Sequence, residues 1–76
     1  MSYSLGRCRL KDIRREIGWT QRKLSDATGI KKDVLSKYEN DTNTITYINS
    51  IIITETIYDK TGIRYSPRDL YEIIRN

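Results

Sequence analysis

Between Gly29 and Asn40 the chain places Lys31, Lys32, Asp33, Ser36 and Lys37 around two larger apolar residues, Leu35 and Tyr38. A lysine ammonium can donate hydrogen bonds to guanine O6 and N7, and an aspartate carboxylate can accept one from cytosine N4. The same side chains serve equally well as the solvated face of a helix, so their meaning depends on the element that holds them. Bond-making chemistry has little support. The sequence contains no histidine. It has no glycine-rich phosphate loop, and no nucleophile stands at an interpretable spacing from a base. Cys8 reads as a small packing or surface residue rather than a nucleophile. The expectation is a non-enzyme.

The elements that must position these residues read as short helices separated by glycines. Leu10, Ile13 and Ile17 recur at helical spacing, which predicts a first helix from near Leu5 to Gly18. Thr20 has the chemistry of an N-cap for a second helix, Gln21 to Thr28, with Leu24 and Ala27 inward. Trp19 and Leu24 stand at the positions of a hydrophobic staple. Gly29 ends that helix, and a third runs from about Lys32 to Asn40 with Leu35 and Tyr38 inward. Thr44 to Tyr58 is ambiguous. Ile48, Ile51, Ile52, Glu55 and Tyr58 fit one helical face, yet the Ile, Thr and Tyr content and the alternation Thr44-Ile45-Thr46-Tyr47 favour a strand. Length favours a fourth helix from about Thr46 to Thr61, closed by Gly62. Ser66-Pro67-Arg68-Asp69 reads as the start of a fifth, with Leu70, Ile73 and Ile74 on its apolar side.

With 76 residues the chain has room for one small domain. Its net charge of +4 is unevenly placed. From Arg7 to Glu39 there are ten basic and five acidic residues, and from Asp41 to Asn76 four basic and five acidic. A basic half beside a near-neutral half suits a polyanion-binding face, or a set of well-solvated helices. The single cysteine excludes an internal disulfide, and without histidine a metal site is not expected; a reduced, cytoplasmic setting is. The longest apolar run, Ile51 to Ile53, is too short for a signal peptide or a membrane span. No cofactor is expected.

Two short helices around a glycine-containing turn are the sequence signature of a helix-turn-helix. Gln21, Leu24, Ser25, Ala27, Gly29, Ile30, Leu35, Ser36, Tyr38, Glu39 and Asn40 resemble the pattern of the Cro/CI-type (XRE-family) helix-turn-helix proteins. The resemblance implies an all-α, five-helix fold of the lambda-repressor type over residues 1–76. It also implies a homodimer that binds double-stranded operator DNA and represses or redirects transcription. Carried onto this sequence, Lys32, Asp33, Ser36 and Lys37 become the base-reading candidates, with Lys31 at the helix edge nearer the DNA backbone. Gln21 takes the family's phosphate-contact position, with Thr20 and Arg22 beside it. Asn40, Thr42, Asn43 and Thr44 follow where relatives touch the backbone, or form only a polar turn. Arg14 and Glu39 match an ion pair that joins the first and third helices in some relatives.

The competing expectation is a protein-interaction module, an antirepressor or an adaptor or antitoxin-like subunit, since fold does not fix function. Tyr58, Ile63, Tyr65, Leu70, Tyr71, Ile73 and Ile74 could supply a partner surface, a homodimer seam or core packing.

Overall fold

The chain order is β1 (Tyr3–Cys8), α1 (Leu10–Glu16), α2 (Gln21–Thr28), α3 (Lys32–Glu39), α4 (Tyr47–Thr61), a 3₁₀ turn at Pro67–Leu70 and β2 (Tyr71–Arg75). These assignments come from a computed structural model that describes residues 2–76. The expected all-α, five-helix architecture is therefore incorrect. Four α-helices stand beside a two-stranded antiparallel sheet, β1 against β2. The stretch from Leu5 to Cys8, expected to open the first helix, lies in β1. The expected fifth helix is one 3₁₀ turn followed by a strand. Leu70, Ile73 and Ile74 do fall at helical spacing, but only Leu70 is buried; Ile73 and Ile74 stand exposed in β2.

The reason lies in a pairing that local sequence does not display. Tyr3 faces Arg75, Ser4 faces Ile74 and Leu5 faces Ile73, with a bulge before Cys8 meets Tyr71. Partners so far apart in the chain leave no signal in any short window. Gly6 is needed here for close approach, because a Cβ at that position would lie 2.9 Å from the Glu72 Cβ. Ser66 still opens the final turn as a cap, with its backbone N–H donating to Asp69 Oδ2 at 2.8 Å.

The middle of the chain follows its local signals closely. Thr20 Oγ1 accepts from the Lys23 N–H at 3.0 Å and starts α2. Gly29 ends it in the left-handed region at φ 79°, which a β-carbon would strain. Thr46 caps α4 by accepting from the Asn49 N–H, and Gly62 closes it at φ 75°. The rotation of α4, however, differs from the expected stripe. Ser50, Ile53, Thr54 and Ile57 face the core, while Ile48, Glu55 and Tyr58 are exposed. Two serine and threonine hydroxyls hide the true face from a hydropathy reading. Ser50 donates to the Tyr47 carbonyl at 2.6 Å and Thr54 to the Ser50 carbonyl at 2.9 Å. Satisfied within the helix, both side chains pack as apolar groups.

The core comprises Leu10 and Ile13 of α1, Leu24 of α2, Leu35 and Tyr38 of α3, Ile53 and Ile57 of α4, with Cys8, Ile30, Ile45 and Leu70 completing it. Tyr71 joins the sheet to this body, its hydroxyl accepting from the Ile45 N–H at 2.9 Å. Burial raises the Tyr71 hydroxyl pKa above the ordinary tyrosine value. Tyr71→Phe is expected to cost about 1–3 kcal/mol, because the Ile45 amide loses its partner in a half-buried position. A urea midpoint unchanged from the parent would show that water replaces the hydroxyl.

Candidate nucleic-acid interface

The exposed face of α3 is set by what its opposite face buries. Leu35 is fully buried and Tyr38 is 3% exposed. The Tyr38 hydroxyl accepts from Asn49 Nδ2 at 2.7 Å, which ties the end of α3 to the start of α4. With those two positions inward, helical spacing turns Lys32, Asp33 and Lys37 to solvent, and all three are exposed, as is Lys31. Among the described residues these four side chains have no hydrogen-bond or ion-pair partner. The Lys31 side chain gives α3 no cap. Asp33, in the first turn, therefore also offsets the positive end of the helix, a role its sequence position alone does not distinguish from base contact.

Ser36 is placed differently from its three neighbours. It is half-buried, and its hydroxyl donates to Gln21 Oε1 at 3.0 Å. Gln21 in turn donates through Nε2 to Glu39 Oε1 at 3.1 Å. The side chain at the start of α2 thus bridges Ser36 and Glu39, about one turn apart on α3. One Nε2 hydrogen of Gln21 remains for a ligand, since the amide carries two donors. Thr20, Arg22, Asn40, Thr42, Asn43 and Thr44 are all exposed. Thr42 and Asn43 both donate backbone N–H groups to the Lys37 carbonyl, at 2.9 and 3.2 Å, so the loop folds back over the end of α3.

Behind this face sits a bidentate ion pair. Arg14 Nε reaches Glu39 Oε2 at 3.0 Å and Arg14 Nη2 reaches Glu39 Oε1 at 3.0 Å. Arg14 Nη1 also donates to the Trp19 carbonyl at 3.0 Å. The two side chains are 12% and 3% exposed. The pair therefore gathers α1, the turn before α2, the first residue of α2 and the last residue of α3. The turn between α2 and α3 is pinned separately, by Ser25 Oγ donating to the Ile30 carbonyl at 2.6 Å.

Over residues 10–57, more than half of the chain, the sequence matches the model of a protein family described as helix-turn-helix. The chain belongs to that family, of the Cro/CI type. No curated protein and no solved structure gave a match. This helix-turn-helix protein is a DNA-binding protein by family, and the matched span holds the whole of α1, α2 and α3. Among the described residues, no helix is long and apolar enough to cross a membrane and no cluster of residues could hold a metal ion.

The residues offered for a partner surface differ in exposure. Leu70 is fully buried. Tyr65 is half-buried and donates to Glu16 Oε2 at 2.8 Å, and Tyr71 is turned to the body. Tyr58 and Ile63 are exposed near Arg64, whose guanidinium lies 4.0 Å from the Tyr58 ring centre. Ile73 and Ile74 are exposed on β2. Asp41 was not singled out in the sequence as a functional position. Its backbone adopts φ 59°, and Oδ1 accepts from the Cys8 N–H at 3.1 Å, joining the base of β1 to the end of α3. The only signal for it was the turn-forming pair Asn40-Asp41.

Proposed function

We propose that this protein is a sequence-specific transcriptional regulator, a repressor, that inserts α3 into the major groove of operator DNA as one half of a homodimer. The observation that carries the reading is the division of α3. Leu35 and Tyr38 are buried and Glu39 is bolted to Arg14 and Gln21, while Lys32, Asp33 and Lys37 stand exposed and uncommitted. A rigidly seated helix with free donors and an acceptor on its outer side meets the geometric need of base readout in a groove about 12 Å wide. In this reading Lys32, Asp33 and Lys37 read bases, and Ser36 supports them by orienting Gln21. Thr20, Gln21, Arg22, Lys31, Asn40, Thr42, Asn43 and Thr44 hold phosphates. Arg14 and Glu39 act by orienting α3.

The test is binding to random duplex DNA over a salt series, followed by selection of preferred duplexes from a random pool. Log affinity falls with log salt by about 0.9 per phosphate neutralised, so about four contacts give roughly a 100-fold loss for a fourfold rise in salt. A flat response would favour a protein partner instead. On the selected site, Lys37→Ala should relax preference at one base pair and cost about 1–3 kcal/mol. Gln21→Ala should weaken specific and random DNA alike. Equal effects of the two changes on every sequence would remove Lys37 from base reading.

A further inference from the structure

We infer that α3 reads G·C pairs alone: Asp33 receives a cytosine amino group, and Lys37 donates to a guanine about two steps along the same strand. This rests on the DNA-binding reading above and adds which bases the bound site must carry. Lys32, Asp33 and Lys37 are exposed and have no hydrogen-bond or ion-pair partner among the described residues. Adenine is read in the major groove by an asparagine or glutamine amide, and the thymine methyl by an apolar side chain. α3 carries no amide side chain. Val34, its apolar residue outside the buried stripe, is half-buried against the core. The neighbouring Gln21 has its amide oxygen engaged by the Ser36 hydroxyl and its amide nitrogen by Glu39. The uncommitted groups of α3 are therefore ammonium donors and one carboxylate, which leaves A·T pairs without a reader.

Asp33 discriminates most sharply. A carboxylate that approaches duplex DNA is repelled by the phosphates whatever the sequence. Only a base donor offsets that repulsion, so the aspartate rejects more sequences than it attracts. Two bases offer a donor in the major groove, cytosine at N4 and adenine at N6. Adenine sets its N7 acceptor beside the amino group, and a carboxylate is repelled there. Cytosine sets only a C5–H beside N4. A lysine has the opposite preference, because guanine alone presents two acceptors, O6 and N7, side by side.

Spacing sets the register. Asp33 and Lys37 stand four residues apart on α3, so both project from one face of the helix. That spacing permits an ion pair, yet none joins them among the described residues, and each charge is left for a ligand. Four residues of α-helix rise about 6 Å. Successive bases on one strand lie about 3.4 Å apart, so the two contacts fall about two steps from each other. A fixed register needs a helix that does not slide or roll. Buried Leu35 and the Arg14–Glu39 pair hold α3 in both respects.

The experiment is selection from a random duplex pool with the full chain and with Asp33→Asn, Asp33→Ala and Lys37→Ala. The wild-type pool should converge on a cytosine and a guanine about two steps apart on one strand. Asp33→Asn should change that cytosine to adenine, since an asparagine amide pairs with adenine N6 and N7, and should keep the guanine. Lys37→Ala should release the guanine and keep the cytosine. A second arm alters the DNA and leaves the wild-type chain as it is. N4-methylcytosine at the Asp33 position replaces the groove-side hydrogen with a methyl group, and 7-deazaguanine at the Lys37 position lacks N7. Each should weaken the wild-type chain about tenfold, whereas Asp33→Ala should ignore the first and Lys37→Ala the second. A wild-type pool rich in A·T at these positions overturns the assignment, as does a cytosine that persists in Asp33→Asn. Wild-type binding unmoved by either modified base overturns it without any variant having to fold. Asp33→Asn that weakens all sequences equally, with preference unchanged, leaves Asp33 only as a counter-charge to the helix end and also overturns it. Wild-type binding to random duplex that ignores salt would instead overturn the DNA-binding reading itself.

Discussion

Arg14→Ala is expected to lower the unfolding free energy by about 3–5 kcal/mol, the largest loss for any single change at the interface. The side chain donates to both Glu39 oxygens and to the Trp19 carbonyl, so its removal strips three hydrogen bonds at once. Glu39 then keeps only the Gln21 amide while remaining 3% exposed. A carboxylate in that position cannot recover its hydration without moving α3. An exposed pair would be worth about 0–1 kcal/mol, so the magnitude is itself diagnostic of burial. Urea denaturation with a fitted slope is the measurement. A loss below 1 kcal/mol at unchanged slope would mean that water reaches Glu39 and that the pair is not what seats α3. The double change Arg14→Met with Glu39→Leu should recover most of the stability, since apolar replacement of a buried pair is often close to neutral.

Leu35→Ala is expected to cost about 2–5 kcal/mol, from lost burial and the cavity left beneath α3. Leu35 is fully buried among the side chains that join α3 to α1 and α2. Total stability of a small domain is only about 5–15 kcal/mol, so a large fraction of the chain would unfold at physiological temperature. DNA binding should fall on all sequences together, in proportion to the folded fraction. Lys37→Ala, two residues on and exposed, should leave the melting midpoint nearly unchanged, as surface substitutions stay within about 0.5 kcal/mol. A Leu35→Ala variant that melts like the parent would show that the inward face of α3 is assigned wrongly.

The contrast between these two positions is legible in the sequence, because it rests on local spacing. Leu35 and Tyr38 at a three-residue interval, Thr20 ahead of α2 and Gly29 after it are all short-range signals, and each governs an element of the matched family segment. The strands were not readable in this way. Leu5 sat within reach of a helix that starts at Leu10, and Ile73 and Ile74 continued a helical pattern from Leu70. Only the long-range pairing of Leu5 with Ile73 turns those residues into a sheet. The face of α4 was misread for a different reason. Ser50 and Thr54 count as polar in any hydropathy pattern, yet their hydroxyls are spent on carbonyls of their own helix. At the site, spacing located the exposed lysines but not the engagement of Ser36 with Gln21, which depends on how two helices cross.

The hydrogen bond from Asn76 to Ser2 bears on the order in which the molecule comes apart. It closes the far end of a ribbon whose residues 3–5 and 72–75 are all exposed. The helices share the buried core, and local stability follows buried contact. Fraying should therefore begin at the ribbon and leave the DNA-facing unit intact for longer.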